Sequence, residues 1–346
     1  MRGTKIFFYL YKTKLFYIFI SLLTLVITVQ IVDLIELTRI NINKENFSIE
    51  RVLKMSFLRM PFLVNEILPF VIITSTSFFF KYLVDNNELI SLRNIGMSII
   101  NIFYPVALAV FTVGFLALLI LNPISSISMG HYQNINNENK QSNSVIELSG
   151  DNIWIKNKLK NKTLYLNAKN IDIKEMSLTQ IMIIEQEKNE SLVSFAKEGR
   201  IADNFLKLND VEEIDIKKNK SIKYDNKTIK INFIDEDIVN SVQYYKHTPF
   251  YNYLNYSQSM KKLNYLTPEI ILYFLSEIFK PLLLISVCFV VSGYVAKFKR
   301  NESFFKTIFI AIIIGFIMFL LDKLIYSINV NNLISYIIII ASIPII

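Results

Sequence analysis

The chain has 346 residues, 52% of them hydrophobic, a mean hydropathy of +0.38 and a net charge of +8. That composition excludes an ordinary soluble domain, which is about 45 to 50% apolar, and the charge collects near the ends of apolar runs, as beside anionic lipid, so it need not imply nucleic acid. One cysteine, Cys288, and two distant histidines, His131 and His247, exclude an intrachain disulfide and a Cys-rich metal site, and speak against a histidine-based metal or catalytic centre.

Arg2, Lys5, Lys12 and Lys14 precede a first apolar run, Leu15 to Ile35, which has the length of a full span and no cleavage pattern after it. It reads as an uncleaved helix starting in the cytoplasm. A loop with Arg39, Lys44, Arg51, Lys54 and Arg59 leads to Pro61 and a second run, Phe62 to Tyr82, which contains Glu66 and Pro69. Next comes a short stretch too small to be a domain, read as a tight reversal at a membrane face. Asp85 or Asn86 is placed as its N-cap, Glu88 in its first turn, Leu89, Leu92 and Ile95 on one apolar face, and Gly96 at its stop. The plain alternative is a surface helix that merely links two spans. A third run, Ile99 to Leu121, is expected to end at Asn122-Pro123.

From there the sequence changes to short alternating segments such as Thr163-Leu164-Tyr165-Leu166-Asn167 and Thr228-Ile229-Lys230-Ile231-Asn232-Phe233. Period-two alternation between turn residues predicts an inserted antiparallel β domain over 123–268. Apolar runs resume at Glu269 to Val295, then, after the basic turn Lys297 to Glu302, at Phe304 to Ile328 and Leu333 to Ile346. The expected layout is therefore three spans in 1–122, the β domain, and three spans in 269–346. The last run is short for a span, so the C-terminus is expected to be truncated.

With the N-terminus inside, the inner segments carry more Lys and Arg than the outer ones, which puts the β domain outside the cytoplasm and the small helix inside. The first outer loop is nonetheless basic. Arg39, Arg51, Lys54 and Arg59 are candidates for an anionic lipid headgroup, set against a plain solvated loop, and Glu66 joins them as an intramembrane carboxylate. Glu277, Lys280 and Asp322 are further intramembrane polar residues, with Glu277 and Lys280 spaced to pair on a helix. There is no phosphate-binding glycine loop, no metalloprotease signature and no nucleophile elbow, so the chain is read as neither hydrolysing ATP nor holding a cofactor or metal.

At this point several strings resemble the LptF/LptG family of lipopolysaccharide export permeases, most closely its LptG branch. Asn87 to Gly96 resembles the family's Glu-Leu segment after the second span, and Ser276-Glu277-Ile278-Phe279-Lys280-Pro281 its fourth-span motif. Gly315-Phe316 with Leu321-Asp322-Lys323 is similar to the fifth span, and Gly150 to Lys156, with Trp154, to the first strand of a β-jellyroll. The branch's lysines at the outer end of the first span are replaced by Gln30, Glu36 and Leu37, with Arg39 nearest. The resemblance implies six spans with a periplasmic β-jellyroll-like domain, in a bacterial inner membrane. It further implies an LptF-like second permease, an LptB-like ATPase dimer coupled through Glu88, Leu89, Leu92, Ile95 and Gly96, and LptC/LptA-like β-jellyroll proteins that receive the lipopolysaccharide. The rival reading is an ion-coupled secondary transporter using Glu66 and Asp322, and a third is a membrane-anchored assembly scaffold.

Overall fold

The computed structural model describes residues 2–42, 48–137, 153–158, 162–172, 175–187, 191–202, 204–215, 220–242, 244–263 and 265–295, with 306, 309–317 and 320. It divides into a helical unit, 1–139 with 272–346, and a second unit, 140–271.

The helical unit holds α1 (Arg2–Asn41), α2 (Ile49–Asp85), α3 (Glu88–Asn94), α4 (Ile99–Leu116), α5 (Asn122–Asn137) and most of α8 (Pro268–Val295). Among the described residues four helical stretches are long and apolar enough to cross a membrane: Thr4–Asn41, Ile49–Asp85, Ile100–Gln133 and Pro268–Val295. The last two apolar runs fall largely outside the described residues. Their helical piece 309–317 sets Gly315 against Ile73 and the Phe316 ring 6.4 Å from Phe70.

Side-chain pairs fix the helix directions. Tyr9 meets Tyr82 and Lys14 meets Ser75, so α1 and α2 are antiparallel. Asn65 meets Glu277 and Thr76 meets Cys288, so α8 runs parallel to α2. Phe7 packs on Tyr104 and Tyr11 on Thr112, which sets α4 parallel to α1. The core at these contacts includes Leu68, Ile72, Phe79, Phe80, Val106, Val110, Leu284 and Val291. A Cβ on Gly114 would lie 2.8 Å from the Pro281 Cα, so only glycine lets α4 approach α8 this closely.

The helices outrun the apolar stretches that announced them. At about 1.5 Å per residue, the 40 residues of α1 reach about 60 Å, against a hydrocarbon core of about 30 Å. Two expected boundaries are crossed. Pro61 lies inside α2, and the helix of the third span passes Asn122-Pro123 through a π-helical turn, Ala117–Leu121, into α5. Residues 123–137 are therefore helix, a correction to the β domain expected from 123. The wider π turn admits a proline because the ring and the missing N–H disturb only a ladder that is already re-registered. The overhanging parts of α1, α2 and α5 share a satellite core of Leu37, Val52 and Met55 with Leu34, Tyr132 and Ile135.

Among the described residues the second unit holds one antiparallel meander of six strands in sequence order. They are β1 (Ile153–Lys158), β2 (Lys162–Asp172), β3 (Ser177–Glu187), β4 (Ser191–Ala202), β5 (Phe205–Asp215) and β6 (Lys220–Lys230). At one level the ladder skips a residue on every strand from β2 to β6: Lys169, Gln180, Lys197, Asp210 and Asp225 drop out. Gln180 and Asp210 take left-handed backbone there, φ 51° in both. The inward alternation slips by one residue at the same line. Leu178 is followed by Ile181 and Ile183, and Leu206 and Leu208 by Val211, so one face stays apolar across the irregularity.

Lys227 shows that the sheet curls over that face. Its Nζ reaches Glu185 on β3 at 3.2 Å, Ser194 on β4 at 3.3 Å, and Glu213 on β5. In a flat sheet β6 and β3 would stand about 14 Å apart, too far for one lysine. Burial lowers the Lys227 pKa, but the two carboxylates outweigh it and the net shift is upward.

After β6 come α6 (Asp235–Val242) and α7 (Tyr253–Lys262). Asp237 joins them, accepting from Ser259 Oγ at 2.8 Å, Lys262 Nζ at 2.9 Å and the Ile234 N–H at 3.0 Å. Burial raises its pKa, yet these donors bring the net below the ordinary 3.8. His247 is buried beside Tyr244, ring centroids 5.2 Å apart; burial first, then the Lys246 charge, take its pKa from 6.5 down to about 4. Between those values the unfolded chain binds the proton and the folded chain does not. Stability is therefore expected to fall as pH drops from about 6.5 towards 4, by roughly 2 to 3 kcal/mol from this residue. Asp237, with its depressed pKa, adds its own loss only below 3.8. Thermal unfolding of wild type and His247→Phe between pH 7 and 4.5 checks this: the variant should lose most of the slope, and an unchanged slope would place the titration elsewhere.

Candidate functional site

The reversal between α2 and α4 is built by local backbone chemistry. The α2 helix runs through Asp85, held by Lys81 at 3.1 Å one turn back and by Leu83 and Val84 in the core. Asn87 then turns the chain in left-handed conformation, φ 57°, and stands as the N-cap of α3 without a side-chain cap bond. This replaces the expected cap at Asp85 or Asn86, because core packing keeps both within the end of α2.

At the other end Gly96 takes φ 89°, its N–H donates to the Arg93 carbonyl at 2.9 Å, and Met97 N–H donates to the Leu92 carbonyl at 3.1 Å. The glycine is required there because L side chains disfavour that conformation, and the two bonds close the helix as a Schellman motif.

Glu88 opens α3 and takes the Tyr9 hydroxyl at 2.8 Å on each carboxylate oxygen; Tyr82 lies 3.2 Å from the same hydroxyl. The small helix is thereby tied to the start of α1. Its apolar residues divide. Leu89 and Leu92 are buried at 5% and 8% exposure in the bundle's own core, whereas Ile95 stands out at 69% and Ile90 at 57%. The single face expected from Leu89, Leu92 and Ile95 is corrected accordingly: two of the three hold α3 down, and Ile90, absent from the expectation, is presented outward.

A second group sits inside the bundle. Glu277, 4% exposed, accepts from Lys280 Nζ at 2.7 Å, Asn65 Nδ2 at 3.0 Å and Asn122 Nδ2 at 3.3 Å. Each contributing helix carries a proline at this level. Pro69 removes the donor that would bond the Asn65 carbonyl, Pro281 does the same at Glu277, and Pro123 follows Asn122. The expected Glu277–Lys280 pair is thus the centre of a three-helix node. Neighbouring Glu66 is half-buried in α2, and Asp322 lies outside the described residues.

Lys14, by position a cation flanking the first apolar run, is wholly buried. Its Nζ donates to Ser75 Oγ at 3.0 Å and Thr76 Oγ1 at 2.7 Å, and stands 6.0 Å over the Phe79 ring. The signal for it was the polar run Thr74 to Ser77 in the second span, at the depth that an antiparallel first helix brings to Lys14.

The basic residues between Arg39 and Arg59 also divide. Arg59 pairs with buried Asp33 at 2.8 Å and lies 5.6 Å over the Tyr132 ring, while Arg51 donates to the Ile135 carbonyl. These two arginines pin α1, α2 and α5 together. Arg39, in the last turn of α1, and Lys54, on α2, are exposed. Among the described residues no group of His, Cys, Asp and Glu is arranged to hold a metal ion.

Membrane-length helices with an inserted antiparallel sheet, and with a short capped helix reversing the chain between two of them, are the architecture of a multispan membrane protein with an inserted β module. The family model of the lipopolysaccharide export system permease LptF/LptG matches residues 8–346, and the chain belongs to that family. A comparison with curated proteins gives no significant match. The family is an inner-membrane permease subunit and not itself an enzyme.

Proposed function

We propose that the chain is one permease half of an ABC-type lipopolysaccharide exporter, pairing with a second permease and driven by a separate ATPase dimer that docks on α3. The observation that carries this reading is the mounting of α3. Leu89 and Leu92 anchor it in the core, the Gly96 cap closes it, and Tyr9 ties Glu88 to α1, so a push on Ile90 and Ile95 moves α1 and α2 as rigid bodies. The charge distribution supports placing this end of the bundle in the cytoplasm and the β module in the periplasm. Among the described residues, exposed Arg39 and Lys54 are the cations left to meet a lipid phosphate at the outer end.

The β module passes the lipid to a partner β protein by pairing along an exposed edge. Among the described residues the β6 strand borders only β5 in the sheet, and eight of its residues in a row from Lys220 to Lys227 alternate little, all but the last being exposed. Lysines at 220, 223 and 230 deter casual pairing while a matched acidic partner strand would accept them. Photo-crosslinkers at Ser221 and Lys223 are expected to capture a periplasmic β protein in cells. Equal yields from Lys207, on the interior strand β5, would show that capture reflects crowding and not edge pairing.

A further inference from the structure

We propose that the segment from Tyr244 to Lys262 is a membrane-surface anchor, seated in the lipid headgroup zone of the bilayer that α8 crosses. Three independent observations converge on it.

The first is an exposed row with a fixed direction. On α7, Tyr253, Tyr256 and Met260 are buried, and the Asp237 bonds to Ser259 and Lys262 hold that face against α6. Helical spacing then turns Tyr251, Leu254, Gln258 and Lys261 the other way, and all four are exposed, Leu254 at 77% and Tyr251 at 58%. Tyr244 adds another aromatic surface at 45%, with Lys246 Nζ 5.9 Å over its ring. A leucine left this bare on a well-packed element has no role in the module's own core.

The second is composition. Residues 244–265 contain no Asp or Glu, and beside Tyr253 and Tyr256, which are buried, and Lys262, which is held by Asp237, they carry four more tyrosines, one phenylalanine and two more lysines. Tyrosine has an apolar body and a wet tip, and lysine reaches phosphate with its stem along apolar surface, so this mixture belongs at the boundary of water and lipid. The absence of acidic residues complements anionic headgroups.

The third is the tether. Residues 263–267 separate α7 from α8, so Lys262 lies within about 20 Å of the start of a membrane span. A surface too weakly apolar to bind vesicles alone acts here at high effective concentration. The same tether argues for lipid over a soluble protein as the occupant.

The test uses the full chain purified with its partner chains, in nanodiscs of phosphatidylethanolamine and phosphatidylglycerol. A nitroxide at Leu254→Cys, in a Cys288→Ser background, is compared with one at Glu212→Cys on β5; Tyr251→Cys serves if the first variant assembles poorly. Collision with membrane-soluble oxygen, relative to a water-soluble nickel chelate, should be several-fold higher at 254 than at 212. Equal, chelate-dominated collision at both sites would overturn the proposal by leaving the face in water. Protection at 254 from both reagents would overturn it too, by assigning the face to a protein.

Discussion

Glu277→Leu is expected to cost the helical bundle about 3 to 5 kcal/mol, among the largest losses available from one side chain in this protein. The substitution leaves the largely shielded Lys280 cation without its carboxylate, and it removes the acceptor that the Asn65 and Asn122 amides share at the proline-interrupted level of three helices. The double variant Glu277→Leu with Lys280→Met removes both charges together and should recover much of that loss, because a buried ion pair and an apolar pair of similar volume are often close in stability. Thermal unfolding in detergent across the double-mutant cycle measures the coupling directly. If the double variant is no better than the single one, the carboxylate is valued for something other than its lysine, and the proton-site reading of the intramembrane acids regains ground.

The second large effect is expected at α3. Ile90→Asp with Ile95→Asp changes only side chains that face outward, so insertion and unfolding temperature should stay near wild type while the ATPase is lost on purification. Leu89→Asp is the instructive contrast. It buries a charge in the bundle's own core and should fail by destabilisation, with little permease recovered at all. Glu88→Lys sits between them, since it breaks the Tyr9 bonds and reverses the charge offered to a partner. Comparison with Tyr9→Phe separates these: that variant loses the intrachain tie but keeps the carboxylate. An ATPase retained in full by the double aspartate variant would move the coupling away from α3.

The sequence makes some features legible because they follow from short-range chemistry. Twenty-residue apolar runs, period-two alternation, the Gly96 stop and the Glu277–Lys280 spacing each depend on neighbours within a few positions, and each has its counterpart in the structure. Leu89 and Leu92 are different. A leucine stripe at a membrane face has the same spacing whether it faces a partner or its own bundle, and only the packing of α2 and α4 decides. Arg51 and Arg59 likewise read as a basic loop until α5 is found extending past Pro123 to meet them.

The bend line in the sheet was written in the sequence but in a form that alternation counting discards. A slip of one residue in the apolar register, repeated at Gln180, Lys197 and Asp210, reads locally as noise. Only when the strands are aligned side by side does it become one line across the sheet. Lys227 needed the curl itself, since no spacing rule connects it to Glu185 some 42 positions away.

The central claim is that ATP hydrolysed by a partner drives this chain to extract lipopolysaccharide through α3. The direct measurement is lipopolysaccharide release from proteoliposomes containing the purified complex, delivered to a β-protein acceptor, with ATP, with a non-hydrolysable analogue, or with an imposed proton gradient alone. Release should require hydrolysable ATP, ignore the gradient, and vanish in the Ile90→Asp/Ile95→Asp complex while lipopolysaccharide still binds. Release driven by the gradient without ATP, or undiminished in that variant with its ATPase absent, would contradict the account.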